Sequence, residues 1–148
     1  MLVTTRHLSS LLAASGIRHH VDREEDSIRV VFVTTGYVNP RAERLAILRV
    51  EVADRGRRCR VTLDRAFAAG RSAAATCLAL CRGLGEVPFA RVELDAPGRA
   101  FRLVAEMPME DGGLTAGQLC TLLDSVVAAA EAGQAVLGTR SYAARKAA

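Results

Sequence analysis

The chain has 148 residues, half of them hydrophobic and 4% aromatic, with a formal charge of +4, a length that fits one domain whose core needs no staple. Arg, Asp, Glu or Gly interrupts the apolar residues every few positions, so no run approaches a membrane span. The opening Met1-Leu2-Val3-Thr4-Thr5-Arg6 has neither the basic start nor the continuous apolar stretch of a secretory signal, which makes a cytoplasmic location the expectation.

Leu8, Leu11 and Leu12 recur at helical spacing behind a cap at Thr4 or Thr5, and Gly16 ends the pattern. Two strands are expected at Ile17 to Val21 and Ser27 to Thr35, flanking the acidic turn Asp22-Arg23-Glu24-Glu25-Asp26. The dense β-branched run Ile28-Arg29-Val30-Val31-Phe32-Val33 suits a central strand. A loop through Gly36, Asn39 and Pro40 leads to Leu45–Ala53, where Leu48, Val50 and Val52 alternate with Arg49 and Glu51. Asp54-Arg55-Gly56-Arg57 reads as a hairpin turn, and Cys59, Val61 and Leu63 alternate with Arg58, Arg60, Thr62 and Asp64 on the returning strand.

Ser72 can cap a second helix with the apolar stripe Cys77, Leu80, Cys81 and Leu84, and Gly83, Gly85 and Pro88 end it. A second hairpin follows. Phe89 to Asp95 places Val92 and Leu94 inward, the chain turns at Ala96-Pro97-Gly98, and Phe101, Leu103, Ala105 and Met107 return inward. Thr115 and Gln118 have capping-box spacing ahead of the stripe Leu119, Leu122, Leu123, Val126, Val127 and Ala130. The expected class is α+β, an antiparallel sheet with helices packed on it in the order α-β-β-β(-β)-α-β-β-α. Residues 1–138 form the single domain, and residues 139–148 are a basic, flexible tail.

No reaction centre emerges from the residue types. Cys59, Cys77, Cys81 and Cys120 lack the spacing of a zinc knuckle or a redox pair and read as reduced core thiols. His19 and His20 are adjacent in a strand, so they point to opposite faces, and Ser9, Ser10 and Ser72 have no base that the sequence nominates. Glu24-Glu25-Asp26 lacks the spaced geometry of a calcium loop, while Glu110 and Asp111 are explained by the positive end of the following helix. The chain is expected to be no enzyme and to hold no metal or cofactor.

The run Arg99-Ala100-Phe101-Arg102-Leu103-Val104-Ala105-Glu106-Met107-Pro108-Met109, followed by Asp111-Gly112-Gly113-Leu114-Thr115 and Gln118-Leu119, resembles the strand, acidic turn and capped final helix of the YbjN family. Through that family it resembles the fold of class I type III secretion chaperones of the Tir-chaperone kind. The resemblance spans Thr5 to Leu137. It implies a small bacterial cytoplasmic protein, commonly a homodimer, that holds or regulates a client protein, and it carries over no catalytic residue.

Two functions from different classes follow. A chaperone-like module would offer a client apolar surface or a sheet edge, with Val31 and Val33 opposite Phe32, and Ile47 and Val104 on otherwise charged faces, as the candidate residues. Alternatively, the arginines Arg49, Arg57, Arg58, Arg60, Arg91 and Arg102 would meet nucleic acid or another acidic partner. The interspersed Glu51, Glu93 and Glu106 favour cross-strand pairs instead. No membrane partner is expected.

Overall fold

The computed structural model describes residues 2–109 and 113–147. Its elements are α1 (Thr5–Ala14), β1 (His20–Asp22), β2 (Ser27–Val33), β3 (Leu45–Ala53), β4 (Arg58–Ala68), α2 (Ala73–Gly83), β5 (Ala90–Leu94), β6 (Ala100–Pro108) and α3 (Ala116–Ala147), with a 3₁₀ turn at Asp54–Gly56. The expected α+β order is the order adopted. The strands form one antiparallel sheet, β1-β2-β3-β4-β6-β5.

Strand alternation builds the core. Ile28, Val50, Val61 and Ala105 lie in register across β2, β3, β4 and β6, and all are fully buried. Leu8 and Leu12 of α1, Leu80 of α2 and Leu119, Leu122, Leu123 and Val126 of α3 join the same apolar cluster, so the helices cover one face of the sheet. Burying each such side chain contributes roughly 1.5–3 kcal/mol. Helix α2 meets α3 where glycine permits close approach. A Cβ on Gly133 would stand 2.7 Å from Phe67 Cζ and 3.1 Å from Leu80 Cδ2.

The end of α1 shapes the edge of the sheet. Gly16, at φ +71°, donates its N–H to the Ala13 carbonyl, and Ile17 donates to Leu12. These two bonds are a Schellman cap, and they hold Ile17 against the core. A residue bound in a helix cap cannot also extend a strand ladder, so β1 begins at His20 instead of Ile17 as expected.

Several expectations are corrected. Val104 is 1% exposed: it lies between Thr62 and Arg91 across the sheet, with Arg102 and Glu106 two positions away on β6, and the apolar stems of the long side chains cover it. Among the cysteines, Cys59 is buried but Cys81 is exposed, because the inward face of α2 runs through Thr76, Leu80 and Leu84. Leu94 is exposed on the outermost strand, and Phe89, at φ +64°, precedes β5. Helix α3 does not end at Gly138; its backbone continues through the segment read as a tail. Ala116–Gly138 has the length and mean hydropathy (1.3) of a membrane span, contrary to the run-by-run reading, but its apolar stripe is spent on the core. Glu110, Asp111 and Gly112 lie outside the described residues.

Candidate functional site at the open edge and outer face of the sheet

The face of the sheet away from the helices carries an ionic lattice. Glu106, in the middle of it, accepts hydrogen bonds from Arg60 Nε, Arg91 Nη2 (3.1 Å) and Arg58 Nη1 (3.3 Å). Glu93 accepts from Arg91 (2.8 Å) and Arg102 (3.0 Å), and Arg49 donates to Glu51 and, through two nitrogens, to both oxygens of Asp64. Burial alone would raise the Glu106 carboxyl, but the hydrogen bonds and charges of Arg91 and Arg60 prevail and hold it at about 2. The same competition, with Arg91 and Arg102, lowers Glu93. The hydrogen bond to Asp64 raises Arg49 despite partial burial, and the one to Glu106 raises Arg91. Five of the six arginines proposed to meet an acidic partner are therefore engaged with carboxylates; Arg57 alone of the six has no ion pair among the described residues.

The apolar candidates fall differently. Val31 is 55% exposed, Val33 84% and Ile47 41%, and Val31 faces Ile47 directly across β2 and β3. They make one patch at a corner of the outer face, from which Val104 is separated by burial. This corner is also where the sheet is open. Thr34 donates to Arg44 on the β3 side, so the even-numbered residues of β2 address β3 and the odd-numbered ones address β1. The β1 ladder stops at His20 opposite Arg29. Continued in register, it would set Arg18 against Val31 and Gly16 against Val33, but those residues belong to the α1 cap and its exit. The peptide groups of Val31 and Val33 thus face outward with no strand beside them among the described residues, and β2 is a central strand for only half its length.

A cleft of about 840 Å³ adjoins the patch. Ile47 and Arg49 line it together with Arg29, Asp64, Arg65 and the loop carrying Asn39, Pro40 and Arg41. The loop is firmly held: the Glu131 carboxylate of α3 accepts from the backbone N–H groups of Thr35 (2.9 Å), Gly36 (2.7 Å) and Tyr37 (3.2 Å). Tyr37 Oη donates to the Ala66 carbonyl and its ring meets Phe67 edge-on at 5.7 Å; burial pushes its hydroxyl up to about 12. On the other wall, three residues of β4 between Leu63 and Phe67 oppose Arg102 alone on β6, and this bulge holds Arg65 at φ +48°.

One arrangement absent from the sequence reading has the hydrogen-bond order of a nucleophile and its base. Ser9 Oγ stands 2.7 Å from His19 Nε2, and His19 Nδ1 stands 2.9 Å from the Ile17 carbonyl. A carbonyl can only accept, so Nδ1 carries a proton, and in the neutral ring Nε2 accepts from the serine hydroxyl. Ser9 sits in the second turn of α1, where the backbone donors serve the helix, so they cannot form an oxyanion hole. The contact ties α1 to the approach of β1. Burial pushes the Cys59 thiol up to about 12, far from a thiolate nucleophile.

Residues from β2, β3 and β4 thus combine an open strand edge, an apolar corner and a basic cleft on a two-layer α+β scaffold. No protein-family model and no curated protein sequence matches the chain. The fold is YbjN-like: a crystal structure of YbjN from E. coli, provisionally described as a transcription regulator, superposes with a TM-score of 0.62, covering 91% of this chain and 95% of that one at 9% identity.

Proposed function

We propose that the chain is a non-enzymatic protein-binding module that captures an extended segment of a client protein by adding it as a strand to the free half of β2. The observation that carries this reading is the outward-facing peptide groups of Val31 and Val33 beside exposed β-branched side chains, which supply main-chain hydrogen bonds and apolar contacts in one place. Proteins commonly shield such an edge with charge, a bulge or proline; Val31 and Val33 provide none of these. The client-holding role is what the family resemblance in the sequence implies; the YbjN-like fold itself speaks to architecture alone. A homodimer is part of this proposal. Leu78 (54% exposed), Phe89 (54%) and Leu94 (45%), on α2 and beside the opposite edge, are the apolar surface it would cover. Light scattering of the wild-type chain and of Phe89→Ser tests it: loss of a dimer in the variant supports that surface, and a wild-type monomer removes dimerisation from the account.

Nucleic-acid binding through the arginine face is the competing function. The lattice opposes it, because an incoming phosphate would have to displace Glu51, Glu93 or Glu106. Tagged wild type, Val33→Pro and the pair Arg57→Glu/Arg58→Glu separate the two in a pull-down with and without nuclease. Proline removes the outward N–H of Val33 while leaving the bonds to β3, and Phe32 before it is already extended. A stoichiometric protein partner retained after nuclease and by the arginine pair, but lost with Val33→Pro, is the expected result. Partners released by nuclease and lost with the arginine pair would refute the reading.

A further inference from the structure

We propose that the cleft beside β2 is a carboxylate-recognition site, so that the captured segment is an acidic one. Its apolar side chains would lie against Val31, Val33 and Ile47, and an Asp or Glu side chain would reach Arg41 and Arg65. This rests on the strand-capture reading and adds the chemistry of the occupant.

Charge complementarity carries the argument. Four arginines line the cleft, Arg29, Arg41, Arg49 and Arg65, against the two carboxylates Glu25 and Asp64. Asp64 is not available to neutralise Arg65, because both its oxygens accept from Arg49, at 3.0 and 3.2 Å. Glu25 stands 4.0 Å from Arg29, with both side chains more than half exposed, a pair of little strength in water. Arg41 and Arg65 have no ion pair among the described residues. Within the cleft, then, Arg41 and Arg65 are the positive charges that no carboxylate answers, whereas the arginines of the lattice are already paired.

The placement is built into the backbone. Arg65 is held at the β4 bulge with φ +48°, next to the Ala66 carbonyl that accepts from the Tyr37 hydroxyl, and Arg41 stands beside Ala42 at φ +62° on the loop whose start the Glu131 carboxylate fixes. The ordered backbone presents both arginines from fixed positions, and the ligand need order only their side chains. Ile47 belongs both to the cleft and, through its pairing with Val31, to the apolar corner. A strand on the free edge of β2 would bring alternate side chains over the corner on the outer face; Arg65, on β4, lies beyond β2 and β3 from that strand, so an acidic side chain meets it where the long arginine side chain reaches back across Ile47. Arginine suits a carboxylate, which it can engage through two parallel hydrogen bonds.

A display library of random linear peptides, selected on the purified full chain, tests the proposal. Selected peptides are expected to carry Asp or Glu at a fixed distance from an apolar pair. The double variant Arg41→Gln/Arg65→Asn, in which asparagine tolerates the left-handed position, should weaken such a peptide about tenfold or more. Replacing the peptide's acid by its amide should cost the same factor, and combining the two changes should add little. Circular dichroism establishes that the variant is folded, and Arg41→Gln alone provides a milder second test with a loss in the same direction. Peptides without acidic residues whose binding is nevertheless lost with Val33→Pro would overturn the carboxylate site and leave strand capture standing. Peptides indifferent to Val33→Pro would overturn both. Binding of a single-stranded oligonucleotide, but no peptide, that the double variant abolishes would overturn the proposal in favour of phosphate recognition.

Discussion

Glu106→Gln removes the charge on which three arginines converge. The Glu106 side chain is 10% exposed, and the carboxyl is held at about 2 instead of 4.5. Such a displacement corresponds to about 3 kcal/mol at most; because Arg58 and Arg60 keep 53% and 38% of their side-chain surface in water, screening reduces it to about 1–2 kcal/mol. The sign follows from the direction of the shift. A carboxyl depressed in the folded state stabilises fully above its unfolded value, and the contribution fades as pH falls from about 4.5 towards 2. Urea denaturation followed by circular dichroism should therefore find the variant less stable at neutral pH, equivalent to a midpoint roughly 2–8 °C lower on heating. The two proteins should converge as pH approaches 2. Equal stability at neutral pH, or a gap undiminished at low pH, would refute the lattice as described.

Glu131→Gln should weaken the bonds to the N–H groups of Thr35, Gly36 and Tyr37, cost about 1–3 kcal/mol and hasten hydrogen exchange at Gly36 before the rest of the chain. Gly133→Ala drives a methyl to within 2.7 Å of Phe67 and should lower stability by about 1–3 kcal/mol in thermal denaturation. Native thiol titration should label the exposed Cys81 first, at a rate slowed because partial burial and the neighbouring Cys77 raise its thiol, while Cys59, buried and pushed up to about 12, should react only after unfolding.

Element order was legible because each element buries one face: the alternation in Leu45–Ala53 and the stripe from Leu119 to Ala130 record that directly. The capping box of the last helix was equally plain, and Thr115 and Gln118 make both of its bonds. The Arg–Glu pairing on the outer face was legible because residues of β3, β4, β5 and β6 alternate in sign on one face. Val104 was misread because alternation gives the face of a residue, not the height of its neighbours. The edge and the cleft were hidden for other reasons. The free half of β2 follows from a helix cap that withdraws Ile17 from a strand ladder, a competition between two local structures that both suit the same residues. Arg65 becomes part of a site through a bulge, and Arg41 through a loop pinned by Glu131, ninety residues distant in sequence. Neither has a local signature.

The most direct test of strand capture is hydrogen exchange at the amides of Val31 and Val33, measured by NMR in the free chain and with a selected peptide bound. Both amides should exchange rapidly when free, while Val30 and Phe32, which address β3, are protected, and both should slow markedly on binding. Amides of Val31 and Val33 that are already protected in the free chain, or that remain fast when the peptide is bound, would contradict the account.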